Sequence, residues 1–487
     1  MFKAEASKSA AIRARLNHPV IDADGHIIEF EPALLDHLTD VGGRSLAERF
    51  TAWGKESLFR WHRAAPDERH DRRIPRLTWW GMPARNTLDR ATASLPGLFY
   101  ERLDEIGIDF SILYPTFGLP VAHIEDEELR RGVCRAFNHF YAETFRDFAG
   151  RLCPVAIIPM HTPEEAIEEL DHAVKDLGLK AVMCAGFVRR PIAAVARECP
   201  AASRDAVWID TFGLDSEYDY DPFWARCVEL KINPAFHSSG FGWGARTSPS
   251  NYIYNHLGMF AAAGEALCKS LFLGGVTRRF PGLKFAFLEG GVAWACSLYS
   301  DLFGHWEKRN RKSLEDLNPA NLDLDLLAKL YREYGGNMVE GRLDQIDRVL
   351  GLLNSTREDP AMLDEWAACK IERPEDIRDL FVPSFYFGCE ADDPMNALAF
   401  DTKLNPYGAR LRVLFGSDIS HWDVPDVREV VEEVYEMVEK GMITEEDMKD
   451  FVFTNPVSFF AGANRDFFKG TVVEQETEKL LAEGIQV

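Results

Sequence analysis

Four segments of the chain carry metal-binding side chains directly after short apolar runs. These side chains are Asp24, His26, His237, Glu289, Asp418 and His421. Carboxylate oxygens and imidazole nitrogens are the donors that zinc, manganese and iron take from proteins. Asp24 and His26 are two residues apart, so on an extended chain both side chains point to the same side and can chelate one ion. The sequence therefore predicts a metal centre.

Each of these residues also has an ordinary structural explanation. A histidine after a strand is commonly a hydrogen-bonded core residue, and an aspartate such as Asp418 before a helix is commonly an N-cap. The metal hypothesis depends on their coincidence at four strand ends. It assigns Asp24, His26, His237 and Asp418 to the metal, with Glu289 as a further ligand.

Eight short apolar runs are predicted to be the strands that position these residues. They are residues 19–23, 110–115, 153–158, 179–184, 232–237, 283–288, 384–388 and 411–416. Runs without alternation are typical of parallel strands buried on both faces. Residues 126–149, 163–176 and 425–440 have helical spacing. The pattern predicts an α/β fold, a single (β/α)8 TIM barrel whose strands end on one functional face. A doubly wound sheet is the alternative.

Two segments do not follow the strand–helix alternation. Residues 30–97 are rich in Arg, Pro and Trp, and residues 306–380 contain two or three amphipathic helices. We predict that residues 1–487 form one barrel domain in which both segments are insertions at the mouth, or subunit contacts.

Composition limits the classes of partner. The chain has 55 Lys+Arg against 78 Asp+Glu, a net charge of -23, which argues against nucleic acid and anionic membranes as partners. It has no apolar run of about 18 residues, as a membrane span would need, and its start lacks the apolar core of a secretory signal. The nine cysteines are scattered singly, which is typical of reduced core residues in a cytoplasmic protein.

Several short motifs resemble those of the amidohydrolase-related family, which includes aminocarboxymuconate-semialdehyde decarboxylase and γ-resorcylate decarboxylase. They are VIDADGHIIE, LYPTFGLP, RAFN, FHSSG, LEGGVAW and LFGSDISH, in that order along the chain. The likeness extends from about residue 18 to residue 465, and the two insertions are its divergent parts.

The resemblance implies a role for each matching residue. Asp24 and His26 occupy the paired ligand positions of the first strand, usually His-x-His or Glu-x-His in the family. His237 matches the mid-chain histidine ligand, and Asp418 matches an aspartate that binds the metal or moves a proton. Glu289 falls where the decarboxylases generally carry a catalytic histidine, a departure that places non-oxidative decarboxylation in doubt.

Three functions stay open from the sequence. The first is metal-assisted hydrolysis or decarboxylation of a small carboxylated or cyclic substrate, with Asp418, Glu289 and His421 as catalytic residues. The second is a non-haem monooxygenase with a di-iron or Fe/Mn centre. The third is a non-catalytic, metal-bearing partner subunit, against which the intact ligand set argues.

The cofactor and the substrate contacts are predicted more coarsely. One zinc ion fits the histidines, whereas the carboxylates favour manganese or iron, and a second ion would use Glu289 and His421. Arg246 is a candidate clamp for a substrate anion. Aromatic residues of the loops suggest a substrate with apolar bulk, although they also serve to pack the loops. We expect a homo-oligomer, a dimer or larger.

Overall fold

The computed structural model describes residues 7–76, 85–237, 243, 247–318, 321–345, 363–419 and 421–484. Its ten strands are β1 (Ile21–Ile27), β2 (Phe110–Pro115), β3 (Leu152–Ile158), β4 (Ala181–Cys184), β5 (Val188–Pro191), β6 (Val207–Asp210), β7 (Pro234–Phe236), β8 (Phe285–Phe287), β9 (Phe385–Glu390) and β10 (Arg412–Gly416). Eight of them form one parallel sheet in the order β1-β2-β3-β4-β7-β8-β9-β10. Strands β5 and β6 pair separately as an antiparallel hairpin.

The two ends of the eight-stranded sheet approach each other. The amide of Asp418 donates to the carbonyl of Asp24 at 3.1 Å, and the amide of Ser417 donates to Asp22 Oδ1 at 3.0 Å. The sheet therefore curls into a nearly closed barrel, which confirms the (β/α)8 prediction over the doubly wound sheet. All eight predicted apolar runs overlap a barrel strand. The β5–β6 hairpin was not predicted from the sequence.

Helices surround the barrel. They are α1 (Lys8–Arg13), α2 (Glu31–Trp53), α3 (Arg60–Arg63), α4 (Pro66–Asp71), α5 (Thr87–Thr92), α6 (Pro96–Ile106), α7 (Glu127–Thr144), α8 (Pro163–Asp171), α9 (Ala193–Glu198), α10 (Asp221–Leu230), α11 (Tyr252–His256), α12 (Met259–Leu273), α13 (Val276–Arg279), α14 (Ala293–Arg309), α15 (Leu324–Tyr334), α16 (Pro374–Ser384), α17 (Val430–Glu439), α18 (Glu445–Lys449), α19 (Asn455–Ala463) and α20 (Glu474–Ala482).

The predicted helices are present, but α7 ends at Thr144 rather than at residue 149 and is followed by a short 3-10 helix (Arg146–Phe148), and one predicted start was wrong. Helices α7 and α8 begin where the sequence placed them, because Asp126 and Thr162 cap their first turns. Helix α17 begins at Val430 rather than at residue 425. The preceding residues are held differently, since the amide of Val427 donates to Asp89 Oδ2 at 3.0 Å.

The first predicted insertion packs against the rest of the chain at several places, and two of them show its position. In α2, Arg49 pairs with Asp126 and Glu128 at the start of α7, each at 2.8 Å. Further along, the amide of Arg76 donates to the carbonyl of Ser248 at 2.8 Å. Ser248 follows β7, so this part of the insertion lies beside a segment that leaves the barrel mouth.

The described end of the second insertion lies elsewhere. Arg278 Nε donates to the carbonyl of Cys369 at 3.0 Å, and Trp306 Nε1 donates to that of Ile371 at 3.5 Å. Arg278 belongs to α13, which leads into the amino end of β8. Residues 369–371 therefore lie near the amino ends of the strands and not at the mouth, which was one of the two placements expected for this insertion, the other being a subunit contact. The placement of residues 306–380 as a whole, and the single domain, stay predictions.

Helix α19 covers the amino ends of the strands. Asn233 Nδ2 donates to the carbonyl of Phe459 at 2.6 Å, and Lys284 Nζ donates to that of Ser458 at 3.0 Å. Asn455 Nδ2 donates to the carbonyl of Val413 at 2.9 Å. The polar site therefore lies at the opposite end of the barrel, where the strands have their carboxyl ends.

Two findings concern the environment of the chain. No helix in the described residues is long and apolar enough to cross a bilayer. All nine cysteines carry free thiols. The cytoplasmic location stays a prediction.

Candidate metal centre

Strand β1 brings two ligand-type side chains to the carboxyl end of the barrel and fixes them from behind. Asp24 and His26 are both buried there. The carboxylate of Asp22 accepts from the hydroxyls of Ser111 and Ser417 at 2.6 and 2.8 Å. It also accepts from the amides of Ser417 and Asp24 at 3.0 and 3.2 Å. The bonds from Ser111 and Ser417 tie β1 to β2 and to the end of β10, so they set the position of the loop that holds Asp418.

Gly25 is required by the same arrangement. A Cβ atom on Gly25 would lie 2.4 Å from Asp22 Oδ2 and 2.5 Å from Ser111 Oγ. His26 is oriented on its other side, where Nδ1 lies 3.3 Å from the carbonyl oxygen of Pro115. A hydrogen bond from Nδ1–H to that carbonyl leaves Nε2 as the free donor atom for a metal.

Donor atoms from the ends of three strands, β1, β7 and β10, converge at one point. The Nε2 atoms of His26 and His237 are 3.0 Å apart. Asp24 Oδ1 lies 3.3 Å from His237 Nε2, and Asp418 Oδ1 lies 3.1 Å from His26 Nε2. Asp24 Oδ1 and both oxygens of Asp418 are buried without a well-directed hydrogen bond from the described residues. Buried donor atoms that face one another in this way fit a shared cation, because a buried polar group otherwise needs a partner.

Glu289 and His421 lie on the next side of the same cluster. Glu289 Oε2 is 3.6 Å from His237 Nε2, and Oε1 is 3.6 Å from His421 Nδ1. His421 Nδ1 is also 3.0 Å from Asp418 Oδ2. The structure thus brings together all six residues that the sequence analysis singled out at strand ends. Their individual roles stay predictions.

The electrostatics of the cluster are strongly perturbed. Burial lowers the pKa of His26 to about 3. Burial acts in the same direction on His237, but the charges of Asp24, Glu289 and Asp418 and the hydrogen bond with Asp24 together outweigh it and raise the pKa of His237 to about 9. Burial and the charge of Asp418 raise the pKa of Glu289 to about 8. Opposed shifts among neighbouring groups in a cleft are typical of functional sites. A bound cation would favour the ionised form of Glu289.

Backbone strain is concentrated at two of these residues. Glu289 has φ of 57° and Asp418 has φ of 49°, in the left-handed region that costs a residue with a side chain about 1 to 3 kcal/mol. Gly388 of β9 allows the strained turn, since a Cβ there would lie 2.8 Å from the Cα of Leu288. Strain of this kind persists where the surrounding structure holds a side chain in a required position.

Two further carboxylates that lie at this site were not predicted from the sequence. Glu390 is the last residue of β9, and Asp423 follows β10. One carboxylate oxygen of each, together with one of Asp418, forms a group in which all three oxygens lie within 4.8 Å of one another. Their position near strand ends was the available signal. It was too weak to use, because acidic residues are common in such loops.

Aromatic side chains form a wall next to these acids. Tyr252 stacks on His256 with ring centroids 5.2 Å apart, and both rings meet Trp422 edge-on at 5.9 Å. Burial raises the pKa of Tyr252, and the charges of Asp423 and Glu289 raise it further, because this wall lies close to both carboxylates. It places aromatic surface beside the carboxylates. The predicted anion clamp, Arg246, lies outside the described residues.

The chain matches one family profile and is similar to several solved structures. The family profile described as amidohydrolase matches residues 21–311, more than half of the chain. An amidohydrolase of Mycobacterium avium subsp. paratuberculosis K-10 is 19% identical, with a TM-score of 0.49 over 91% of this chain and 98% of that one. The 2,6-dihydroxybenzoate decarboxylase of Rhizobium is 14% identical, with a TM-score of 0.48 over 91% and 98%. A dihydroxybenzoic acid decarboxylase of Polaromonas sp. JS666, solved with manganese and 2-nitroresorcinol, is 16% identical, with a TM-score of 0.46 over 91% and 97%.

Proposed function

The chain belongs to the amidohydrolase family, and we propose that it is a metal-dependent enzyme that hydrolyses or non-oxidatively decarboxylates a small carboxylated or cyclic substrate. The match to the family profile confirms the resemblance that the motifs indicated. One observation carries the proposal, which is the convergence of Asp24 Oδ1, His26 Nε2 and His237 Nε2 with the carboxylate of Asp418. A divalent ion held there lowers the pKa of water or polarises a substrate oxygen.

The donor set bears on the identity of the ion. Two imidazole nitrogens and two carboxylates suit zinc, manganese or iron, and each further carboxylate favours the harder ions. Asp24, His26 and His237 are assigned to bind the ion, and Asp418 to bind it or to accept a proton. The orienting contact of His26 with the carbonyl of Pro115 supports this assignment.

Proton transfer is assigned to the side of the cluster that carries Glu289 and His421. Glu289 is buried, and its two oxygens face His237 and His421 at 3.6 Å. Beside a cation it is ionised and acts as a base. His421 lies against Asp418, whose charge raises the pKa of this imidazole against the effect of burial. It can therefore hold a proton for a leaving group. A carboxylate base with a neighbouring acid favours hydrolysis over decarboxylation.

The variant Glu289→Gln tests the acid–base assignment. We expect it to keep its metal and fold and to lose most of its activity, because Gln preserves the shape of Glu but cannot accept a proton. Turnover is assayed on a panel of small cyclic amides, lactones and aromatic carboxylates, with carbon dioxide release measured separately. Glu265→Gln, on α12 and away from the cluster, is the matched control. Full activity of Glu289→Gln would remove Glu289 from the mechanism, and loss of half of the metal would make it a ligand instead.

The two other functions that the sequence left open stay predictions without support from the family match. A two-iron oxygenase would consume dioxygen with substrate, which an oxygen electrode measures. A partner subunit would show no turnover on any member of the panel while retaining its metal. Metal analysis of the purified protein is the first experiment, because no bound ion at all would contradict the proposed function.

A further inference from the structure

A second group of possible metal ligands adjoins the first. Glu390, Asp418 and Asp423 each offer one carboxylate oxygen, and these oxygens lie within 4.8 Å of one another. Glu390 comes from the carboxyl end of β9, whereas the two aspartates follow β10. Neither Glu390 nor Asp423 is among the ligands assigned above.

The charge of the combined cluster exceeds what one ion offsets. Five carboxylates surround the site, those of Asp24, Glu289, Glu390, Asp418 and Asp423. Across the described residues, no lysine or arginine forms an ion pair with any of the five. One divalent cation compensates two negative charges. Protonated His421 compensates one more, and holding the remaining carboxylates ionised in a largely buried cluster without a further cation is costly.

Asp418 connects the two groups of ligands. One of its carboxylate oxygens lies within 4.8 Å of donor atoms of His26 and His421, and one lies within 4.8 Å of carboxylate oxygens of Glu390 and Asp423. The side chain is 4% exposed, and neither oxygen accepts a well-directed hydrogen bond from the described part of the chain. A buried carboxylate that belongs to both groups of donor atoms is placed to contact two ions.

We propose that a second divalent cation binds between Glu390, Asp418 and Asp423, with Asp418 shared between the two ions. The proposal rests on the proposed function only for the presence of the first ion. Oxygen ligands alone suit hard cations such as manganese or magnesium, whereas the imidazole nitrogens of the first position favour transition metals. The two positions therefore differ in affinity, and the all-oxygen position is the weaker and more readily exchanged.

Metal stoichiometry of the full chain tests this directly. The protein is freed of metal, dialysed against saturating manganese, and analysed for bound ions per chain, with calorimetry resolving the binding steps. We expect two ions and two steps for the unmodified protein. The double variant Glu390→Gln/Asp423→Asn should bind one ion and keep the tighter step. Asp392→Asn removes an exposed charge from the loop that follows Glu390 and should still bind two.

The outcomes separate the two proposals. One ion in the unmodified protein, or two ions retained by the double variant, would overturn the second position and leave the proposed function intact. No ion in the unmodified protein would contradict both. The single variants Glu390→Gln and Asp423→Asn, checked for folding by circular dichroism, should each weaken only the second step. Magnetic coupling between two bound manganese ions, seen by electron paramagnetic resonance, should be present in the unmodified protein and lost in the double variant.

Discussion

Lys284 allows a quantitative test of how the closed end of the barrel is built. It directly precedes β8 and is buried, with Nζ donating to the carbonyl of Ser458 in α19 at 3.0 Å. Burial, followed by the charge of Arg412, lowers the pKa of Lys284 to about 7. An unfolded lysine has a pKa of about 10.4. The unfolded chain thus binds the proton more tightly than the folded protein does.

The direction of the pH effect follows from this difference. Between pH 7 and 10 the unfolded state carries more protons at this position, so stability rises with pH. Below about pH 7 both states are protonated and the full penalty for the buried charge is present. A pKa difference of about 3 units corresponds to roughly 4 kcal/mol in all, of which about 2 kcal/mol is recovered between pH 7 and 9.

Lys284→Met removes the titrating group while keeping much of its volume. We expect the free energy of unfolding of the unmodified protein to rise by about 2 kcal/mol relative to this variant between pH 7 and 9. Urea unfolding at several pH values measures the difference, and the thermal midpoint should change by about 2 °C for a chain of this size. Lys440→Met, at an exposed position on the surface, is the control. A difference between the protein and Lys284→Met that stays constant over this range would refute the reasoning.

Three further predictions concern the site and its support. Removal of the metal with a chelator should lower the thermal midpoint, since an ion present at 100 times its dissociation constant stabilises the folded state by about 2.7 kcal/mol; an unchanged midpoint on re-addition of manganese would count against a metal centre. Gly25→Ala should lower metal content, because the added Cβ would lie 2.4 Å from Asp22 Oδ2 and displace β1; full metal content with an unchanged fold would show that this contact is not needed. Asn233→Ala should lower the free energy of unfolding in urea by about 2 to 4 kcal/mol and leave the metal content unchanged, because the buried carbonyl of Phe459 and the amide of Lys284 lose their hydrogen-bond partner. A cost below 0.5 kcal/mol, about that of an ordinary surface substitution, would contradict this account of the closed end.

The local sequence was sufficient to predict the strands of the barrel and most of its helix starts. A parallel strand buried on both faces is a continuous apolar run, and eight such runs are visible along the chain. A helix start is also local, as the caps Asp126 and Thr162 show. Helix α17 was misplaced because the residues before Val430 bond to Asp89, which is distant in sequence. No local pattern contains that contact.

The residues of the site also fall into those that the sequence could predict and those that it could not. Asp24 and His26 could be paired from their spacing alone, and the residues after β7, β8 and β10 from the rule that strand ends share one face of a barrel. Glu390 and Asp423 could not be selected among many acidic loop residues, because their closeness to Asp418 depends on how β9 and β10 lie side by side. The sequence by itself determined which side chains can bind a cation. Only the tertiary structure decided that five carboxylates share one buried site, since burial and distance are properties of the closed barrel and not of any segment.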